Sequence, residues 1–160
     1  MLNNELKIYD NYRIIMSVGL VLPSVLHKIG IRMGIGPSQN KNFHVSTSYK
    51  NAKSMITDMD RPRQVITLLP TKAKDSEETL ESIIEYMGPL DIVLDCMIDT
   101  PDRIQSRAEL CAKNSTQYMA INITRECIYA AGTRIAYLEN KNLLRKINKN
   151  IKYIGEIDEV

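Results

Sequence analysis

Residues 12–23, Tyr-Arg-Ile-Ile-Met-Ser-Val-Gly-Leu-Val-Leu-Pro, carry the one pattern in this chain whose spacing could hold a phosphate. The apolar strand opening at Tyr12–Met16 is expected to run into a short turn and then an apolar helix over Leu22–Ile29. Such a strand–turn–helix binds a dinucleotide when its turn carries the spacing G-x-G-x-x-G. The glycines let the backbone turn tightly and approach the pyrophosphate, whose charge then rests on the helix N-terminus. Only the middle glycine, Gly19, is present; Ser17 and Leu22 hold the flanking positions and Pro23 follows. Leu22 places a bulky side chain where the phosphate would rest, and Pro23 removes an N–H from the helix start. The pattern points to a nucleotide-binding fold more strongly than to a nucleotide.

The other groups capable of chemistry are scattered. Asp95, Asp99 and Asp102 follow a predicted strand, on the edge where open α/β sheets bind ligands. A cation or ribose contact competes there with ordinary turn and cap chemistry. The two histidines, His27 and His44, have no cysteine or carboxylate at metal-ligand spacing, and no metal site is expected. Cys96, Cys111 and Cys127 are odd in number and form no C-x-x-C, which fits reduced thiols and a cytoplasmic setting. Asn114 and Asn122 match glycosylation sequons, but no secretory signal is recognised, so chance matches are expected. Lys141, Arg145, Lys146, Lys149 and Lys152 make the last segment basic; with only Tyr153 interleaved, a solvated helix face is favoured over a nucleic-acid patch.

These residues must be positioned by elements that alternate strand and helix. Strands are predicted at 12–18, 31–35, 64–69, 91–94, 117–121 and 152–154. Helices are predicted at 22–29, 49–59, 75–87, 101–113 and 141–149. The clearest helix signals are Leu80, Ile83, Ile84 and Met87 on one face, and Thr100-Pro101 as a cap with proline at the first helical position. Continuous apolar strands alternating with helices predict a doubly wound, mainly parallel α/β sheet of six or seven strands with helices on both faces. At 160 residues, 44% hydrophobic and 25% charged, the chain is one ordinary globular domain. It has no tryptophan and one phenylalanine, so Met55, Met59, Met87, Met97 and Met119 are expected to fill the core. The net charge of +2 is too small to call for a polyanionic partner, and no apolar run is long enough to span a bilayer.

From residue 61 the order of features becomes specific. Arg61-Pro62-Arg63-Gln64-Val65-Ile66-Thr67-Leu68-Leu69 resembles the K-P-R-R-I-I-L-L segment of 6-phosphogluconate dehydrogenase, and Asp91-Ile92-Val93-Leu94-Asp95 is similar to that family's D-I-I-I-D. The collinearity runs from Tyr12 to Ile154. It implies a Rossmann-like coenzyme domain over residues 12–154, with an N-terminal extension at 1–11 and a tail at 155–160. The resemblance places a degenerate cofactor site at Gly19, Leu69, Pro70, Thr71 and Asp95, and a remnant of the substrate turn at Thr124, Arg125 and Glu126. The family's asparagine in D-G-G-N-S falls on Ile98, and its 2′-phosphate arginine has no counterpart in Gly36-Pro37-Ser38-Gln39.

Three functions are weighed, the first two implied by the resemblance and the third by the basic C-terminal segment. The favoured one is a non-catalytic pseudoenzyme used as an interaction module, with a protein partner or a second copy of itself. In this reading the family's catalytic helical domain is not part of the chain, and an apolar patch near Met97, Ile98 and Ile123 meets the partner. The second is a truncated NADP-binding dehydrogenase subunit of the pentose phosphate pathway. The third is a nucleic-acid or nucleotide-metabolite binder. NADP is expected to bind weakly or not at all.

Overall fold

The computed structural model describes residues 12–22, 25–34, 42–69, 74–97 and 99–159. Strand β1 (Tyr12–Leu22) is followed by β2 (Val25–Gly34) and β3 (Asn42–Tyr49). A short helix α1 (Ala52–Thr57) leads to β4 (Gln64–Thr67), α2 (Lys74–Ile84) and β5 (Ile92–Asp95). Next come α3 (Pro101–Lys113), β6 (Gln117–Ile123), β7 (Ile128–Gly132), α4 (Arg134–Ile147), β8 (Ile151–Gly155) and a 3-10 turn at Ile157–Glu159.

Among the described residues eight strands form one sheet in the order β3-β2-β1-β4-β5-β6-β7-β8, one or two strands more than the sequence predicts. The pairs β1–β4, β4–β5, β5–β6 and β7–β8 are parallel. The pairs β1–β2, β2–β3 and β6–β7 are antiparallel. The chain moves outward from β1 to β3, crosses through α1 to β4 on the other side of β1, and then moves outward again to β8. The sheet's topological switch point therefore lies between β1 and β4.

Period-two alternation sends side chains to two cores. Val21, Val65, Val93 and Tyr118 pack with Met55, Ile83, Ile84 and Cys111 beneath α1, α2 and α3. Ile66, Ile92, Leu94 and Met119 pack with Ala136, Tyr137, Leu143 and Leu144 of α4 on the opposite face. Helices thus cover both faces, as predicted. All five methionines expected in the core are buried.

The predicted helix over 22–29 is not formed. β1 runs on to Leu22, and β2 returns antiparallel, pairing Leu22 with Val25 and Val18 with Ile29. The predicted strand at 31–35 is the end of this same β2. The physical reason is legible afterwards. From Lys28 on, Ile29, Ile31 and Met33 alternate with Lys28, Gly30, Arg32 and Gly34, a period of two, and Gly30 and Gly34 prevent a helix from continuing past residue 29. Further expectations shift: β3 was not foreseen, and the helix predicted from Tyr49 starts at Ala52. Strand β7 was not foreseen, and α4 starts at Arg134 rather than Lys141 because the Thr133 hydroxyl caps it, accepting from the Ala136 N–H at 3.2 Å.

The two best-marked helices hold. α3 opens at Pro101 with Asp102 in its first turn and ends at Lys113. α2 buries Leu80, Ile83 and Ile84, and Met87 beyond its end is buried too.

The β6–β7 hairpin depends on one glycine. A Cβ on Gly132 would lie 2.7 Å from Met119 Cγ and 2.9 Å from the Tyr118 carbonyl oxygen. Gly132→Ala is expected to lower the unfolding free energy by about 1–3 kcal/mol, the usual penalty for overpacking, as read from urea denaturation.

Candidate functional site at the sheet switch point

The parallel strands β1, β4, β5 and β6 deliver their C-terminal ends to one edge, where a ligand of an open α/β sheet would sit. The strongest polar cluster of the described residues lies there, and it is closed on itself. Asp95 ends β5 with its side chain fully buried. Its Oδ1 accepts from the Thr67 hydroxyl at 3.1 Å and from the Met97 N–H at 2.9 Å. Its Oδ2 accepts from Arg107 Nε at 2.7 Å and from the Tyr118 hydroxyl. A carboxylate has about four lone-pair sites, so Asp95 has none left for a ribose or a cation.

Arg107 is held within the same cluster. It projects from α3 with a side chain 1% exposed. Its Nη2 donates to the Met97 carbonyl at 2.9 Å and its Nη1 to Asp99 Oδ2 at 3.2 Å. Glu77 of α2 stands 3.7 Å from Nη1. Arg103, one turn earlier on α3, pairs with Asp99 at 3.1 Å and with Glu77 at 3.1 Å. Asp95, Asp99 and Arg107 thus fasten the segment after β5 to α2, α3 and β6. The sequence placed Asp95 and Asp99 near each other correctly. Asp102 sits apart from them in the first turn of α3, in the helix-start role.

The charges set the titration of their neighbours. Burial alone would raise the Asp99 carboxyl, but the Thr100 N–H and the Arg107 and Arg103 guanidiniums outweigh it and hold it below the ordinary 3.8. Burial, reinforced by the Asp95 carboxylate, pushes the Cys96 thiol up to about 12. Cys111 is also pushed up to about 12, first by burial and then by Asp95, against a smaller opposing effect of Arg107. The Tyr118 hydroxyl is raised by burial and then by Asp95. Burial opposes the charge on Arg107, yet Asp95 and Tyr118 raise its value overall. Both shifts disfavour the thiolate form of these cysteines.

The other expected site residues are placed as follows. Gly19 lies inside β1, opposite Lys28 of β2 and Val65 of β4, not in a turn. A Cβ there would stand 3.2 Å from both Met59 Sδ and Val65 Cγ2, so this glycine admits the α1 side of the core. Ser17 and Leu22, the other fingerprint positions, are also strand residues. Leu69 is buried in the core beneath α1 and α2. Pro23, Pro70, Thr71, Ile98 and the loop 36–40 lie outside the described residues.

Thr124, Arg125 and Glu126 form the exposed β6–β7 turn, on the same sheet edge but beyond β5. The Thr124 hydroxyl accepts from the Cys127 N–H at 3.0 Å and donates to the Cys127 carbonyl at 2.8 Å. Asn148 and Asn150 donate to the carbonyls of Arg125 and Glu126 at 3.5 and 3.1 Å. Asp95 and this turn are therefore held separately, each by its own set of hydrogen bonds.

The expected apolar patch is only partly formed: Met97 is buried in the core, whereas Ile123 is 41% exposed. The basic segment is divided as well. Lys141 lies 5.9 Å over the Tyr137 ring, and Lys152 lies 5.8 Å over Tyr129. Among the described residues no group of three His, Cys, Asp or Glu is placed to hold a metal, and no helix is long and apolar enough to cross a membrane.

What sequence reasoning missed is Arg107. Its signal was its place on a predicted helix just past a strand ending in aspartate. Arg107→Met is expected to lower the unfolding free energy by about 3–5 kcal/mol, because it strands a buried carboxylate. Adding Asp95→Leu should recover part of that loss in a double-mutant cycle. Because the folded Asp99 carboxyl titrates below its ordinary value, its contribution is present above that value and fades as pH falls through the folded one. Acid unfolding of Asp99→Asn should accordingly show a shallower pH dependence than the parent. A thiol reagent at pH 8 should label Cys96 and Cys111 slowly in the native chain and rapidly in denaturant.

No family model matches the sequence, and no curated protein matches it. Solved structures do share its fold. Plasmodium falciparum 6-phosphogluconate dehydrogenase, solved in apo form and in complex with NADP+ and with 6-phosphogluconate, superposes with a TM-score of 0.58 at 23% identity. The match covers 68% of this chain and 26% of that one. Streptomyces aurantiacus imine reductase gives 0.56 at 17% identity, over 68% of this chain and 40% of that one. An imine reductase from Myxococcus stipitatus in complex with NADP+ gives 0.56 at 11%, again over 68% and 40%. The chain spans about a quarter of the length of the Plasmodium enzyme. The fold is thus the Rossmann-like α/β arrangement of 6-phosphogluconate dehydrogenase and imine reductases, with an antiparallel hairpin where a strand–helix phosphate turn would stand.

Proposed function

We propose that this chain is a 6-phosphogluconate dehydrogenase-like coenzyme domain that has lost its nucleotide site and serves as a non-catalytic interaction module. The observation that carries the proposal is the return of β1 as β2. A pyrophosphate at the switch point is held by free N–H groups and the positive end of a helix that follows the first strand. Here Leu22 pairs with Val25, so β1 passes into a second strand within two residues. A strand end carries no comparable dipole. The end of β5, two strands away, offers no substitute in Asp95, whose lone pairs are all taken by the protein. Three free cysteines, Cys96, Cys111 and Cys127, fit a reducing compartment such as the cytoplasm.

A second reading, a dehydrogenase subunit that retains NADP, draws on the neighbours of the same fold that were solved with that cofactor. Calorimetry separates the two. Titration with NADP+ and NADPH is expected to give no saturable heat at micromolar to millimolar ligand, and a coupled assay with 6-phosphogluconate no turnover. A micromolar dissociation constant for either nucleotide would establish the second reading instead. Replacing Leu22 and Pro23 with Gly and Gln, which would repair a phosphate turn, should leave binding unchanged, since it creates no helix after β1.

A further inference from the structure

Helix α4 turns Ala136, Tyr137, Asn140, Leu143 and Leu144 into the protein. Its outer face carries Ile135 and Leu138, one turn apart and 66% and 55% exposed. Cations frame this apolar pair. Arg134 lies 5.8 Å over the Tyr153 ring and Lys141 5.9 Å over the Tyr137 ring, so both are held at the rim. Arg145 and Lys146 are exposed in the last turn and form no ion pair among the described residues. The one carboxylate of α4, Glu139, accepts from Gln117 Nε2 at 3.3 Å. An exposed apolar ridge in a cationic frame is complementary to an anionic surface.

The chain itself carries such a surface on the other face of its sheet. α2 buries Ser76, Leu80, Ile83 and Ile84, and on its outer side Glu78, Glu81 and, just past its end, Glu85 are exposed. Glu81 and Glu85 form no ion pair among the described residues. Glu81 also lines a groove of about 330 Å3 between α2 and α3 that offers the apolar side chain of Leu110. Lys113 is the single exposed cation there, since Arg107 is buried against Asp95. The intervals from Glu78 to Glu85 and from Leu138 to Arg145 are both seven residues, two helical turns or about 10 Å. α2 packs in one core and α4 in the other, so the two surfaces cannot meet within one chain.

We propose that the outer face of α4 docks on the outer face of α2 in a second copy of this chain. Arg145 and Lys146 would meet Glu81 and Glu85, and Ile135 and Leu138 would be covered against the groove at Leu110. Pairing α4 with α4, or α2 with α2, would set like charges against each other. The contact therefore joins two different surfaces, head to tail, and leaves one of each free for a further copy. The inference names a partner for the interaction role proposed above and rests on that reading. A chain that stays monomeric and binds no NADP would remove the self-association alone and leave the loss of the nucleotide site intact.

Sedimentation of the whole chain tests this. Its mean mass is expected to rise with concentration between about 10 μM and 1 mM at about 0.01 M ionic strength. The association should weaken at least about tenfold at about 1 M, where the Debye length is about 3 Å. Two variants reverse one surface each: Arg145→Glu with Lys146→Glu, and Glu81→Lys with Glu85→Lys. Each alone should stay monomeric, their equimolar mixture should associate, and a chain carrying all four substitutions should associate again. A monomeric parent, association indifferent to the reversals, or a mixture no heavier than its components would each overturn the proposal. So would a monomer whose α4 face binds phosphatidylserine vesicles, which would assign that face to a lipid surface. If a reversed variant melts differently from the parent, Ile135→Gln with Leu138→Gln replaces it: association lost at least about tenfold supports the contact, and unchanged association overturns it.

Discussion

Asp95 and Arg107 meet at 2.7 Å with side chains 0% and 1% exposed, and the layout of the sheet's C-terminal edge follows from holding that pair together. A charge so buried is tolerated only when its partner and its remaining lone pairs are all satisfied. Meeting that condition recruits Thr67 from β4, the backbone of Met97 and Tyr118 from β6 to one carboxylate. It recruits the Met97 carbonyl and Asp99 to one guanidinium. Three neighbouring strands and α3 are thereby locked in register by a single ion pair. A second buried pair does comparable work at the other edge. Asp91 accepts from the Arg63 side chain at 3.2 Å and from the backbone N–H groups of Arg63 and Gly88 at 2.7 and 3.0 Å. The parallel strands β4 and β5 are thus pinned at both ends by arginine–aspartate pairs.

That arrangement has a consequence for function. Ligand sites of open α/β sheets depend on groups left unsatisfied at the strand ends, ready to be met by a phosphate or a ribose. Here the polar groups at the end of β5 are fully used by the protein. The end of β1 turns back into β2 instead of entering a helix. Two walls of the expected crevice thus lack groups ready for such a ligand, one because its carboxylate is satisfied and the other because β1 continues into a strand. The fold shared with 6-phosphogluconate dehydrogenase and imine reductases extends over 68% of the chain.

Much of the scaffold was legible in the sequence because its signals were local. Thr100-Pro101 marked the start of α3, and Leu80, Ile83 and Ile84 marked the buried face of α2. The runs at 64–69, 91–94 and 117–121 fell on β4, β5 and β6 within a few residues. The failures arose where two periods compete. Residues 25–34 contain apolar side chains compatible with a helix over a short window, and the expectation of a phosphate turn favoured it. The alternation of Ile29, Ile31 and Met33 and the two glycines carried the opposite signal. β7 is five residues long with three small ones, too weak a pattern to stand out. At the candidate site, Asp95 was recognisable from its place at a strand end. Its saturation was not, because the groups that bind it come from positions 67, 97, 107 and 118 and meet only in the folded chain.

The central claim is that β1 pairs antiparallel with β2 where a coenzyme domain of this kind would place a helix. Cross-strand nuclear Overhauser contacts test it most directly. The account predicts inter-strand contacts linking residues 17–22 to 25–30, in the register that opposes Val18 to Ile29, Leu20 to His27 and Leu22 to Val25. Sequential amide–amide contacts with a run of i-to-i+3 contacts over residues 22–29, and no cross-strand contacts, would show a helix there and contradict it.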